Sequence, residues 1–125
     1  MRTTATTTSR ETLLGANNYA SLLKQLKRFE ETKSLMRKSI PIARRVSGGN
    51  HEYTLRMRNN YARALSKDPG ATLADLREAV STLEDTERIA RRVLGSAHPI
   101  ALKIERNLQN ARAALRARET PPPQA

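Results

Sequence analysis

A helical segment that occurs twice in one chain has to be buried twice in the same way, and this narrows the folds open to it. Residues 12–20, TLLGANNYA, return at 54–62 as TLRMRNNYA, which places two asparagine pairs 42 positions apart. The match extends through Thr12 with Thr54, Leu13 with Leu55, Tyr19 with Tyr61, Ala20 with Ala62 and Leu23 with Leu65. A second alignment sets ARRVSGGNHEYTL from Ala43 against ARRVLGSAHPIAL from Ala90, at a spacing of 47. The extra residues fall within SKDPGATLADL, because Asp-Pro-Gly is a turn signal and turns absorb insertions at little cost. Self-similarity at this period predicts stacked helical units rather than one unrepeated core. Asparagine is a mediocre helix former because its amide competes for nearby backbone groups, so a pair placed twice inside a helix points to a repeated use.

Apolar spacing divides each unit into two helices. Leu13, Ala16, Ala20 and Leu23 share a helical face, followed by a second stripe of Phe29, Thr32, Met36, Ile40, Ala43 and Val46. Leu55, Ala62 and Leu65 mark the next helix, and Leu73, Leu76, Val80, Leu83, Ala90 and Leu94 the one after it. Thr72 with Asp75 has the spacing of an N-terminal cap, while Gly48 and Gly95 stand where C-caps belong. A fifth helix is expected from Pro99, a favoured first-turn residue, through Ile104, Leu108, Ala111 and Leu115 to about Arg118. Pro41, inside the second stripe, predicts a bend. Residues 1–10 and the Pro-rich tail 120–125 are expected to be irregular, with repeats over 12–53 and 54–100 and a partial one over 101–119.

The core of such a chain must come from aliphatic residues, since Tyr19, Phe29, Tyr53 and Tyr61 are the only aromatics. A net charge of +11 favours acidic partners. From Lys24 to Arg63 eleven cations face Glu30, Glu31 and Glu52, whereas Asp75 to Glu87 carries five acids against Arg77, so an acidic partner is expected at the first half. Arg44, Arg45, Arg91 and Arg92 recur near helix C-termini, where cations favour the helix dipole. The absence of cysteine excludes disulfides and thiolate chemistry. No apolar run approaches the roughly 18 residues of a membrane span. The default compartment is therefore the cytoplasm.

The paired helices, the run NNYASLLKQLKRFEET and the link VLGSAHP together resemble the tetratricopeptide repeat, in its longer-period kinesin-light-chain type, over roughly Glu11 to Glu119. The resemblance implies an all-α fold of five helices. They would form about two and a half antiparallel pairs stacked in a short right-handed solenoid, with first helices lining a concave groove. It implies a non-catalytic scaffold or adaptor that binds a peptide segment, acidic in character, in that groove. Residue by residue, the groove positions it implies are Asn17, Asn18, Asn59, Asn60 and Asn107. Ser21 and Lys24 lie a turn later in the first repeat, Arg63 and Lys67 in the second, and Arg56 joins them. Amides there both donate to and accept from a peptide backbone. One asparagine of each pair can instead bond to a neighbouring helix and hold repeats in register, since adjacent side chains diverge by roughly 100°. Departures from the family pattern include Tyr19-Ala20 and Tyr61-Ala62 in place of Leu-Ala, and Phe29 and Leu76 where a Gly-x-Tyr turn is usual.

Other chemistry finds little support. His51 and His98 occupy equivalent sites after the glycine links and are read as helix-start residues rather than zinc ligands. No phosphate loop, nucleophile elbow or H-E-x-x-H helix occurs, and no cofactor is implied. The alternatives are a basic nucleic-acid-binding repeat, weakened by the scarcity of aromatics for base stacking, and a piece of a longer array. In the latter, the final helix would self-associate through Ile104, Leu108, Ala111 and Leu115.

Overall fold

The computed structural model describes the backbone of residues 7–120 and the side chains of residues 25–120. Four helices follow in order: α1 (Thr7–Val46), α2 (Glu52–Lys67), α3 (Leu73–Leu94) and α4 (Pro99–Glu119). Four helices among the described residues stand where five were expected, because the two helices assigned to the first repeat are one, the 40-residue α1, while the helix expected from Pro99 is α4. Its beginning at Thr7 overlaps the segment expected to be irregular.

The reason lies in the link. At the 42-residue spacing Gln25 corresponds to Lys67, and at the 47-residue spacing Leu26 corresponds to Leu73. The five residues Asp68-Pro69-Gly70-Ala71-Thr72 thus have no counterpart in the first repeat. Between α2 and α3 they make a tight connection: Asp68 Oδ1 accepts from the Gly70 N–H at 2.8 Å, and the Ala71 N–H donates to the Asp68 carbonyl at 2.9 Å. Residues 22–33, LLKQLKRFEETK, contain neither Gly nor Pro, and nothing there stops helix propagation. Pro41 does not end α1 either, which continues to Val46.

The remaining boundaries follow the cap signals. Thr72 and Asp75 form a reciprocal capping box at the start of α3. Gly48 and Gly95 take φ of 93° and 96°, a region side-chain-bearing residues rarely adopt, and close α1 and α3. His51 and His98 are N-caps, each accepting through Nδ1 at 3.1 Å from the backbone N–H two residues on. They perform at α2 and α4 the helix-start role read from their equivalent positions.

α2 lies at the centre, packed against α1, α3 and α4, and α3 packs against α4. Leu55, Ala62 and Leu65 of α2 join Ala79, Leu83 and Ala90 of α3 and Ile104, Leu108 and Ala111 of α4 in one buried cluster. Full burial of one such leucine is worth about 1.5–3 kcal/mol. Ile104, Leu108 and Ala111 are therefore already covered by the molecule itself, which corrects the expectation that they offer a self-association face. Leu115 is half-buried.

Candidate functional site

The asparagine pairs divide. Asn59 and Asn107, 3% and 7% exposed, bond to each other across α2 and α4, with Asn107 Nδ2 donating to Asn59 Oδ1 at 2.9 Å. This single interior bond ties the second repeat to the next helix, and the two amides do not reach a groove. Asn60, one position on, is exposed. Asn17, Asn18, Ser21 and Lys24 lie on α1 and outside the described side chains.

On α2 the outward positions Arg56, Asn60, Arg63 and Lys67 recur at spacings of four and three, a single stripe, and all are exposed. Asn60, Arg63 and Lys67 line one depression of about 330 Å³, whose floor is Phe29, Thr32, Leu35 and Met36 of α1. A neighbouring depression of about 460 Å³ adds Gln25, Arg28 and Pro69. Arg56 is separate. It pairs with Glu52 at 3.1 Å beside Tyr53, in a smaller hollow. At the far end of the same seam Ile42, Val46, Tyr53 and Met57 line a further depression of about 360 Å³. The three depressions that share residues 25–46 make a trough along the line where α1 and α2 meet.

The trough is apolar where it should not be if α1 were fully covered. Leu35, Ile42 and Val46 of α1 are 58%, 51% and 76% exposed, and Tyr53 of α2 is 67% exposed. The stripe Phe29, Thr32, Met36, Ile40 and Ala43, expected to be core, is only half-buried. Sequence spacing found the stripe but assigned it to the interior. The missing turn before Leu26 is the signal that would have moved it to a surface.

Beneath the trough, polar contacts hold α1 to α2. Lys33 Nζ, nearly buried, meets Asp68 Oδ2 at 2.9 Å and Glu30 Oε1 at 2.8 Å. Burial alone would lower the Lys33 pKa, but its hydrogen bonds to Glu30 and Asp68 outweigh this and hold the ammonium above its ordinary value. Burial would likewise raise Asp68, yet Lys33 and the Gly70 N–H together hold the carboxyl below the usual range. Arg37 donates to the Tyr61 hydroxyl at 3.3 Å, and that hydroxyl donates to Glu78 of α3. Burial and the Glu78 carboxylate push the Tyr61 pKa up. Further along α2, Arg58 binds Asp85 of α3 at 2.7 Å and depresses its pKa. These contacts position helices; none joins a nucleophile to a base.

The family model for the tetratricopeptide repeat matches residues 11–68, the first repeat together with the first helix of the second. Neither a curated protein nor a solved structure matches the chain. Repeats of this family generally mediate protein–protein interactions, and the family is not a catalytic one. Among the described residues no helix is long and apolar enough to cross a membrane. With the 42-residue register, the paired α2 and α3 and the buried asparagine tie, the match shows that residues 11–68 carry a tetratricopeptide repeat.

Proposed function

We propose that this protein is a non-catalytic cytoplasmic adaptor of the kinesin-light-chain-like kind, a short right-handed solenoid over residues 11–119, whose α1–α2 trough binds an acidic peptide segment. The observation that carries this reading is that Asn60, Arg63 and Lys67 line the same depression as Phe29, Leu35 and Met36. Apolar side chains of a ligand would supply affinity by leaving water on Phe29 and Leu35, and its carboxylates would meet Arg63, Lys67 and Arg28 at the rim. Rim charges act chiefly on encounter rate and register, so binding should weaken as salt rises.

The test is fluorescence anisotropy with labelled amphipathic peptides of matched hydrophobicity, one carrying carboxylates and one carrying lysines. The acidic peptide is expected to bind at least about tenfold more tightly, a difference of ~1.4 kcal/mol. Arg63→Glu with Lys67→Glu should reverse the preference while circular dichroism stays unchanged. Equal binding of both peptides by both proteins would end this reading.

A further inference from the structure

We infer that the α1–α2 trough is the seat of residues 12–26 of a second copy of this chain, so that two copies exchange the N-terminal halves of their α1 helices. The inference stands on observations independent of peptide binding.

The first is how identity tracks burial. Seven positions of α2 are buried: Thr54, Leu55, Asn59, Tyr61, Ala62, Ala64 and Leu65. At the 42-residue spacing six of them meet an identical residue, Thr12, Leu13, Asn17, Tyr19, Ala20 and Leu23, and Ala64 meets Leu22. Of the five exposed α2 positions only Asn60 meets an identical residue, Asn18, whereas Tyr53, Arg56, Arg63 and Lys67 meet Glu11, Leu14, Ser21 and Gln25. Identity between the repeats thus falls on six of the seven positions that α2 buries and on one of the five that it exposes. Residues 12–23 therefore carry the face of a helix that sits against two others.

The second is the place of that face in the repeat. α2 packs against both α3 and α4, and Asn59 is tied to Asn107 there. By the same register the pair equivalent to α3 and α4 is residues 26–46 with α2, whose seam is the apolar trough. An amide at Asn17 seated in it would face Asn59 as Asn107 does from the other side.

The third is connectivity. An uninterrupted helix cannot turn residues 12–23 back onto its own residues 29–46, and the five residues that make this turn in the second repeat are absent from the first. A second copy has no such constraint. Two α1 helices set antiparallel about a twofold axis near Leu26, midway along Thr7–Val46, place each N-terminal half in the other's trough. Such an exchange is isologous and closes at two copies, and it uses the contacts of the repeat with no new interface chemistry.

The experiment combines mass with cross-linking. Sedimentation equilibrium of the intact chain should give twice its 14.0 kDa across micromolar concentrations. Insertion of Asp-Pro-Gly-Ala-Thr between Gln25 and Leu26 restores the missing turn and should return a folded monomer. Because the chain has no cysteine, Asn17→Cys and Asn59→Cys can be carried on separate, differently tagged chains, refolded together and oxidised. A disulfide joining the two tags is the expected product, and it keeps the test decisive should the insertion variant fail to fold. A monomeric intact chain, or a dimer that survives the insertion and yields no mixed disulfide, would overturn the exchange. The exchanged helix would cover the apolar floor of the trough, so a mixed disulfide confines an acidic peptide to the exposed stripe Asn60, Arg63 and Lys67, whereas a monomeric intact chain leaves the floor to the peptide.

Discussion

The two sides of α2 use unlike chemistry. Toward α3 and α4 it presents Leu55, Ala62 and Leu65, none of them exposed, and a buried amide pair, with the Arg58–Asp85 ion pair beside them. Toward α1 it presents an ion pair, a Tyr61 hydroxyl bridge and a trough whose apolar lining remains half-covered. The difference teaches that one repeat can be closed or open according to its link. Where Asp68-Pro69-Gly70 turns the chain, the helix pair covers itself; where the turn is missing, the same kind of seam stays accessible.

The largest effect should come from the polar side. Asp68→Ala leaves the Lys33 ammonium without its buried partner, and breaking a buried pair by removing one member costs about 3–5 kcal/mol. Urea denaturation should show this as a lower midpoint with an unchanged slope. A loss below ~1 kcal/mol would mean that Glu30 alone holds Lys33, and that the α1 side is looser than its geometry. On the apolar side Leu65→Ala should cost about 2–5 kcal/mol through lost transfer energy and a cavity. The two variants therefore gauge the two interfaces of one helix against each other.

A smaller and sharper contrast separates neighbouring asparagines. Asn59→Ala orphans the buried Asn107 amide and should cost about 1–3 kcal/mol. Asn60→Ala, on the surface, should stay within about 0.5 kcal/mol. Equal losses in thermal melts would show that the pair does not divide into an inner and an outer member.

The smallest effect is on pH. Asp68 and Asp85 are held below their ordinary pKa, so the stability they contribute is full above the unfolded value near ~3.9 and disappears as pH falls through the lowered one. Lys33 is raised, so its contribution is full below the unfolded value near ~10.4 and disappears as pH rises through the raised one. Melting temperature should be flat between these limits as far as the three groups are concerned. Asp68→Asn should shallow the acid limb, and an unchanged limb would assign acid unfolding to other carboxylates.

Much of this arrangement was legible in residues alone where a local signal names its partner. Thr72 and Asp75, Gly48 and Gly95, and His51 and His98 each act within a few positions, so α3, α4 and the ends of α2 fell where spacing placed them. The failure at α1 has the opposite cause: periodicity of the stripe Phe29 to Val46 persists whether or not a turn precedes it, and apolar spacing divided the first repeat at a break that LLKQLKRFEETK does not encode. The candidate site suffered similarly. Asn59 and Asn60 look alike in sequence, and which of them is interior depends on α4, far along the chain. The cations Arg63 and Lys67, named through the family resemblance, share an exposed stripe of α2, but the apolar floor beside them belongs to another helix.

The Asn59 to Asn107 bond has a structural corollary. A carboxamide holds a hydrogen donor and an acceptor on one carbon, and this contact uses the nitrogen of Asn107 and the oxygen of Asn59, leaving the Asn59 nitrogen and the Asn107 oxygen outside the bond. The one joint observed matches α2 to α4 by an atom pair at 2.9 Å, a length that tolerates no slippage of a full turn.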